Sequence, residues 1–152
     1  MRTAATVLMV LLLSASAAVH AQAGPQSPEA LMAQNATADG VRVLPSGVQY
    51  KVLNAGPGTS RHPTPADYVT VEYEGALLDG QVFDSTAKTG SVTFQLKGLI
   101  PGWIDVVQQM QEGDEWKVWV PPSLGYGAKP KGPIPANSVL VFRLKLVSIL
   151  GG

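Results

Sequence analysis

The chain of 152 residues has no cysteine and only two histidines, and one of these, His20, falls in the first 23 residues. Without cysteine there is no disulfide framework and no lipid-modified thiol at the end of a leader. His62 alone gives no support to a histidine-based triad or a zinc site, and between Arg61 and Pro63 it reads as an exposed loop residue. Charge is scarce as well, at 14% of residues, with 11 Lys plus Arg against 11 Asp plus Glu. Removing Arg2 with the first 23 residues leaves 11 − 1 = 10 bases against 11 acids, a net charge near −1. Phosphate binding needs a basic patch, so nucleic acid is not an expected partner, and electrostatic docking to a membrane finds no support. No pair of acids sits at a spacing suited to a metal or a proton relay. The glycines of 125–132 lack the Gly-Lys-Ser/Thr of a phosphate loop, which leaves Lys129 and Lys131 as solvated charges. No metal and no cofactor is expected.

The N-terminal apolar run, Val7 to Leu13, is also too short for a bilayer span of roughly 20 residues. With Arg2 before it and Ala21-Gln22-Ala23 after it, residues 1–23 read as a signal peptide cut after Ala23. A periplasmic or secreted location follows as an expectation, with no membrane insertion after processing. Residues 24–44 form a short pre-domain segment with a brief helix. Ser27 serves as cap, Pro28 stands in the first turn, Glu29 faces the helix dipole and Gly40 ends the segment. So short a segment favours a monomer. Asn35-Ala36-Thr37 matches a glycosylation acceptor but reads better as a polar helix end.

Residues 45–152 suit one domain. With 16 Gly and 12 Pro the chain is turn-rich and mainly β. Val69, Val71 and Tyr73 alternate with Thr70, Glu72 and Glu74 before an Asp79-Gly80 turn. Trp116, Val118 and Val120 alternate with Lys117 and Trp119 until Pro121-Pro122 stops the ladder. Leu140, Phe142, Leu144 and Leu146 share one face of a last strand, opposite Arg143 and Lys145. Ile100, Trp103, Ile104, Val107 and Met110 predict one amphipathic helix of about ten residues, ending before Gly113. Together these give an α+β architecture, an antiparallel sheet wrapped over one short helix.

What remains for chemistry is an ordered set of apolar motifs: Val71-Glu72-Tyr73-Glu74-Gly75, Asp79-Gly80-Gln81-Val82-Phe83-Asp84-Ser85, Ile100-Pro101-Gly102-Trp103, Tyr126-Gly127 and Leu140-Val141-Phe142. In residues and in order they resemble the FKBP-type peptidyl-prolyl cis/trans isomerases, over roughly residues 45–150. The resemblance implies a strongly twisted sheet half-wrapped round the helix, and catalysis of rotation about X-Pro bonds without covalent chemistry. It implies catalytic roles for Tyr73, Phe83, Asp84, Tyr126 and Phe142. Substrate-binding roles fall to Leu99, Ile100, Trp103, Ile134 and Val92, with Trp103 as floor, the Ile100 N–H holding a substrate carbonyl and Ile134 closing one side. The implied partners are proline-containing polypeptide clients and a macrolide ligand. Three departures stand out: Val92 where many members carry an aromatic, Val106 in place of a common glycine, and a short Pro- and Lys-rich loop over 128–135. Taken singly, Tyr73, Trp103 and Phe142 lie on core faces and Asp84 could be a turn residue, while Tyr126 between two glycines is harder to explain by packing. A second reading is a chaperone module that grips proline-containing segments with little turnover.

Overall fold

The computed structural model describes residues 26–152. The expected signal segment and its cleavage site lie outside the described residues. In chain order the elements are helix α1 (Pro28–Asn35), strands β1 (Arg42–Val43), β2 (Gln49–Asn54), β3 (Tyr68–Ala76), β4 (Val82–Ser85) and β5 (Val92–Gln95), helix α2 (Pro101–Val107), and strands β6 (Glu115–Val120) and β7 (Leu140–Leu150). Single 3-10 turns at Leu96–Gly98 and Pro122–Leu124 lead into and follow the α2–β6 unit.

The seven strands form one antiparallel sheet in the order β1-β2-β6-β7-β3-β4, with β5 also on β3. The alternation expected for β3, β6 and β7 is present. Val69 and Val71, Val118 and Val120, and Leu140, Leu144 and Leu146 are fully buried, and α2 answers them with Val106, Val107 and, just beyond its end, Met110. Burying each such side chain contributes about 1.5–3 kcal/mol, so this shared face dominates the fold. It also explains α2, since seven residues are too few to hold a helix alone. Pro101 at its first position and the buried Trp103, Val106 and Val107 keep it in place.

The helix is shorter than the ten residues its apolar spacing predicts. Gln109 N–H and Met110 N–H donate to Val106 O and Val107 O, three residues back, so the last turn tightens and leaves the α form while Met110 still reaches the core.

Helix α1 begins as expected: Ser27 Oγ accepts from Ala30 N–H and Pro28 opens the first turn. It stops at Asn35, well before Gly40: the Thr37 and Ala38 N–H groups donate only three residues back, to Gln34 O and Asn35 O, and the Thr37 hydroxyl also donates to Gln34 O, so the four-residue ladder ends. Gln49 ties it to the sheet, donating to Met32 O at 2.7 Å and accepting from Asn35 Nδ2 at 2.8 Å. The Asn35 amide is thus engaged as the polar helix end the sequence suggested. Met32 packs on Trp119 and Val139, which buries the outer face of β6 where alternation with Lys117 had pointed to solvent.

The loop before β3 is fixed by Arg61, whose guanidinium donates to both Asp67 oxygens at 2.6 and 2.9 Å. With the Thr64 N–H, this holds the Asp67 carboxyl far below the ordinary carboxylate range. Its folded pKa lies under the unfolded value of about 3.9, so the stabilisation is complete above that pH and is lost as the pH falls further. Thermal melts should therefore place the native chain above Asp67→Asn near about pH 6, with the gap narrowing steadily once the pH falls below about 4 and closing only at the strongly depressed folded pKa.

Candidate functional site

Five elements aim aromatic side chains at one hollow of about 220 Å³. Tyr73 comes from β3, Phe83 and Asp84 from β4, Phe94 from β5, Trp103 from α2 and Phe142 from β7; Leu99, Ile100 and Tyr126 complete the lining. The rings meet edge to face. Trp103 lies 5.0 Å from Tyr73 and 5.2 Å from Phe142, at 89° and 85°, and Phe83 lies 5.8 Å from Phe142 at 89°. Such crossings are the favoured aromatic geometry, and they fix the walls relative to the floor. Trp103 and Phe142 are buried, whereas Tyr126 is 38% exposed and stands at the mouth.

The polar groups of the hollow are few and mostly committed. The Tyr73 hydroxyl donates to Asp84 Oδ2 at 2.5 Å, while Asp84 Oδ1 accepts from the Ser85 N–H at 2.9 Å. Burial, reinforced by the carboxylate, pushes the Tyr73 phenol well above its ordinary range. Tyr73 therefore keeps its proton, and each Asp84 oxygen already accepts one of these hydrogen bonds. Trp103 Nε1 is buried without a hydrogen-bond partner. Ile100 caps α2 with its carbonyl, which accepts from the Trp103 and Ile104 N–H groups.

Eight of the ten expected site residues come together here. Val92 and Ile134 do not line the hollow. Val92 lies opposite Val71 in the β3–β5 ladder and packs on the core, and Phe94, two residues on and on the same face, reaches the hollow instead. Ile134 is drawn into the core by the tight Lys131–Ile134 turn, whose two backbone hydrogen bonds fold it inward at 4% exposure. Lys129 and Lys131 are exposed, and so is His62, although its Nδ1 lies 3.0 Å from Met110 O. Among the described residues no group of three or more His, Cys, Asp or Glu could hold a metal ion.

Gly75 and Gly102 set the packing around the hollow. A Cβ on Gly75 would lie 2.7 Å from Phe83 and 2.8 Å from Phe142, so only glycine lets the two rings close over β3. A Cβ on Gly102 would lie 2.6 Å from Val120, so its bareness lets the start of α2 sit down on β6 and sets the height of Trp103. A glycine interrupting an apolar alternation was the available signal for Gly75.

A family model described as FKBP-type peptidyl-prolyl cis-trans isomerase matches residues 59–147. The chain belongs to that family. Among curated relatives, an outer membrane protein MIP of Legionella longbeachae is 46% identical over 123 residues, 80% of this chain and 52% of its own. A probable FKBP-type peptidyl-prolyl cis-trans isomerase FkpA of Neisseria meningitidis is 47% identical over 131 residues, 85% of this chain and 47% of its own. The chain thus spans about half the length of the curated relatives it matches. The crystal structure of FkpA from Escherichia coli matches with a TM-score of 0.76 at 33% identity, over 82% of this chain and 58% of that one. A peptidyl-prolyl cis-trans isomerase structure from Pseudomonas syringae matches at 0.75 and 31%, over 81% of this chain and 90% of that one. The FKBP fold, a sheet wrapped round a short helix, is accordingly the fold of this chain.

Proposed function

We propose that the chain catalyses cis/trans isomerisation of the peptide bond before proline in exported polypeptides. The observation that carries this reading is the aromatic hollow with its single braced carboxylate. It offers a ring-sized space walled mainly by apolar side chains with no Ser, Cys, Lys or His in its lining, and X-Pro rotation needs no nucleophile. The barrier of about 18–20 kcal/mol comes from amide resonance, which water favours by solvating the charge-separated planar form. In the twisted form that charge separation is lost, so an apolar wall costs it less than it costs the planar amide. Each 1.4 kcal/mol of such preference is about tenfold in rate.

In this reading the prolyl ring rests on Trp103 between Tyr73, Phe83 and Phe142. The Ile100 N–H holds the substrate carbonyl beyond the proline, and the Tyr126 hydroxyl meets the amide being turned. The clients are proline-containing segments of unfolded chains, for which the uncatalysed step takes tens of seconds or longer. A hollow of this size takes one ring, which is smaller than the roughly 300–1,000 Å³ of drug-sized sites. A macrolide would therefore insert only one ring-sized part and cover the mouth with the rest. Export to the periplasm or beyond rests on the leader pattern of residues 1–23, and a monomer on the brevity of α1.

A protease-free assay on a short X-Pro peptide tests the central claim. The native chain should accelerate isomerisation, and Phe83→Ala and Asp84→Ala should each lower kcat/KM by about tenfold. If all three give only the uncatalysed rate while an unfolded client still binds, the protein is a binding module instead.

A further inference from the structure

The strand pairing leaves a gap at Tyr73, which lines the hollow. One edge of β3 is shared end to end by two short strands: β4 pairs with Glu74–Ala76 and β5 with Tyr68–Val71. Tyr73 falls between them, so its backbone has no ladder partner on that side. An unpaired, partly buried N–H and C=O would be costly and would let the strand shift there. Thr86, which follows β4, fills the gap. Its hydroxyl accepts from the Tyr73 N–H at 2.9 Å, and its own N–H donates to Tyr73 O at 2.9 Å, with the hydroxyl 3.3 Å from the same oxygen. The Thr86 carbonyl in turn accepts from the Thr89 and Gly90 N–H groups, which anchors the clasp in a closed turn. Thr86 is 6% exposed and one of three buried polar residues among those described.

Two residues before it, Asp84 receives the hydroxyl of the same tyrosine. The segment from Asp84 to Thr86 therefore grips Tyr73 at both ends, phenol and main chain.

We propose that Thr86 is a positioning residue of the isomerase site, fixing the Tyr73 main chain in the gap between β4 and β5 so that the phenol reaches Asp84 and the ring closes the wall. This inference rests on the proposed isomerase activity for its kinetic part, but its structural part can be read without turnover.

The experiment compares Thr86→Val, which keeps the shape and removes the hydroxyl, with Thr86→Ser, which keeps the hydroxyl. Amide hydrogen exchange followed by NMR should show Tyr73 exchanging at least tenfold faster in Thr86→Val and near native in Thr86→Ser. On an X-Pro peptide, Thr86→Val should lose about fivefold in kcat/KM, an amount set by one net hydrogen bond, and Thr86→Ser should restore it. In a Tyr73→Phe background the Thr86→Val loss should shrink to below about twofold, because its effect passes through the phenol. A general loss of packing would instead cut activity equally in both backgrounds, and that result overturns the proposal. So does unchanged Tyr73 exchange in Thr86→Val. Should the native chain prove inactive while Tyr73 exchange behaves as described, the isomerase reading fails and the clasp stands.

Discussion

Trp103→Ala should lower folding stability by about 4 kcal/mol and abolish peptide turnover at temperatures where the native chain is active. The indole is 4% exposed and touches both Tyr73 and Phe142 edge on. It is also the largest anchor of α2, whose seven residues make few hydrogen bonds of their own. Truncation would leave a void that this short helix could fill only by moving, and that would carry Ile100 and the mouth with it. Chemical denaturation measures the loss, and the peptide assay repeated at low temperature, where the variant is still folded, separates missing floor from missing fold. A variant with native stability would place the indole outside the core. Trp103→Phe should recover most of the stability, because the ring still fills the floor. It gives up no hydrogen bond, since Nε1 has no partner.

Gly75→Ala should act on the site more than on the fold. The added methyl enters a space already held by Phe83 and Phe142, whose atoms would stand within 2.8 Å of it. Overpacking of this kind costs roughly 1–3 kcal/mol. The cheapest relief is for Phe83 to swing out, as β4 is a four-residue strand at the sheet margin, whereas Phe142 is paired on both sides, with Gly75 of β3 and Val118 of β6. About 2 kcal/mol spent at the wall corresponds to about thirtyfold in kcat/KM. The melting temperature should fall by only a few degrees. An alanine variant of native activity would mean that the two rings need not meet over β3.

The parts of this architecture that follow a two-residue or 3.6-residue period were readable in advance. Leu140 to Leu146 and Val69 to Tyr73 declare their faces by alternation, and the structure buries them as that alternation requires. What periodicity does not encode is what a second layer does to an outer face. Trp119 sat opposite the core with Lys117, yet Met32 of α1 covers it, a contact between residues far apart in the chain. Reach is likewise invisible to pattern. Val92 and Phe94 share a face of β5, and only the longer side chain crosses to the hollow. Ile134 shows a third limit, for the direction of a loop side chain depends on turn geometry at Lys131–Ile134 rather than on any repeat. The set of rings from Tyr73 to Phe142 could be named from the order of its motifs, because that order reports a shared ancestry in which the long-range contacts are already solved.

The outermost strands of the sheet are β1, two residues long, and β4 and β5, four residues each, while the eleven-residue β7 is flanked on both sides. A long bare margin would be a template on which an extended stranger could add itself and seed aggregates. The proposed clients are unfolded chains rich in just such extended stretches. Under the proposed function, stubby margins would let a client's proline enter the hollow while offering its backbone no long edge to zip onto.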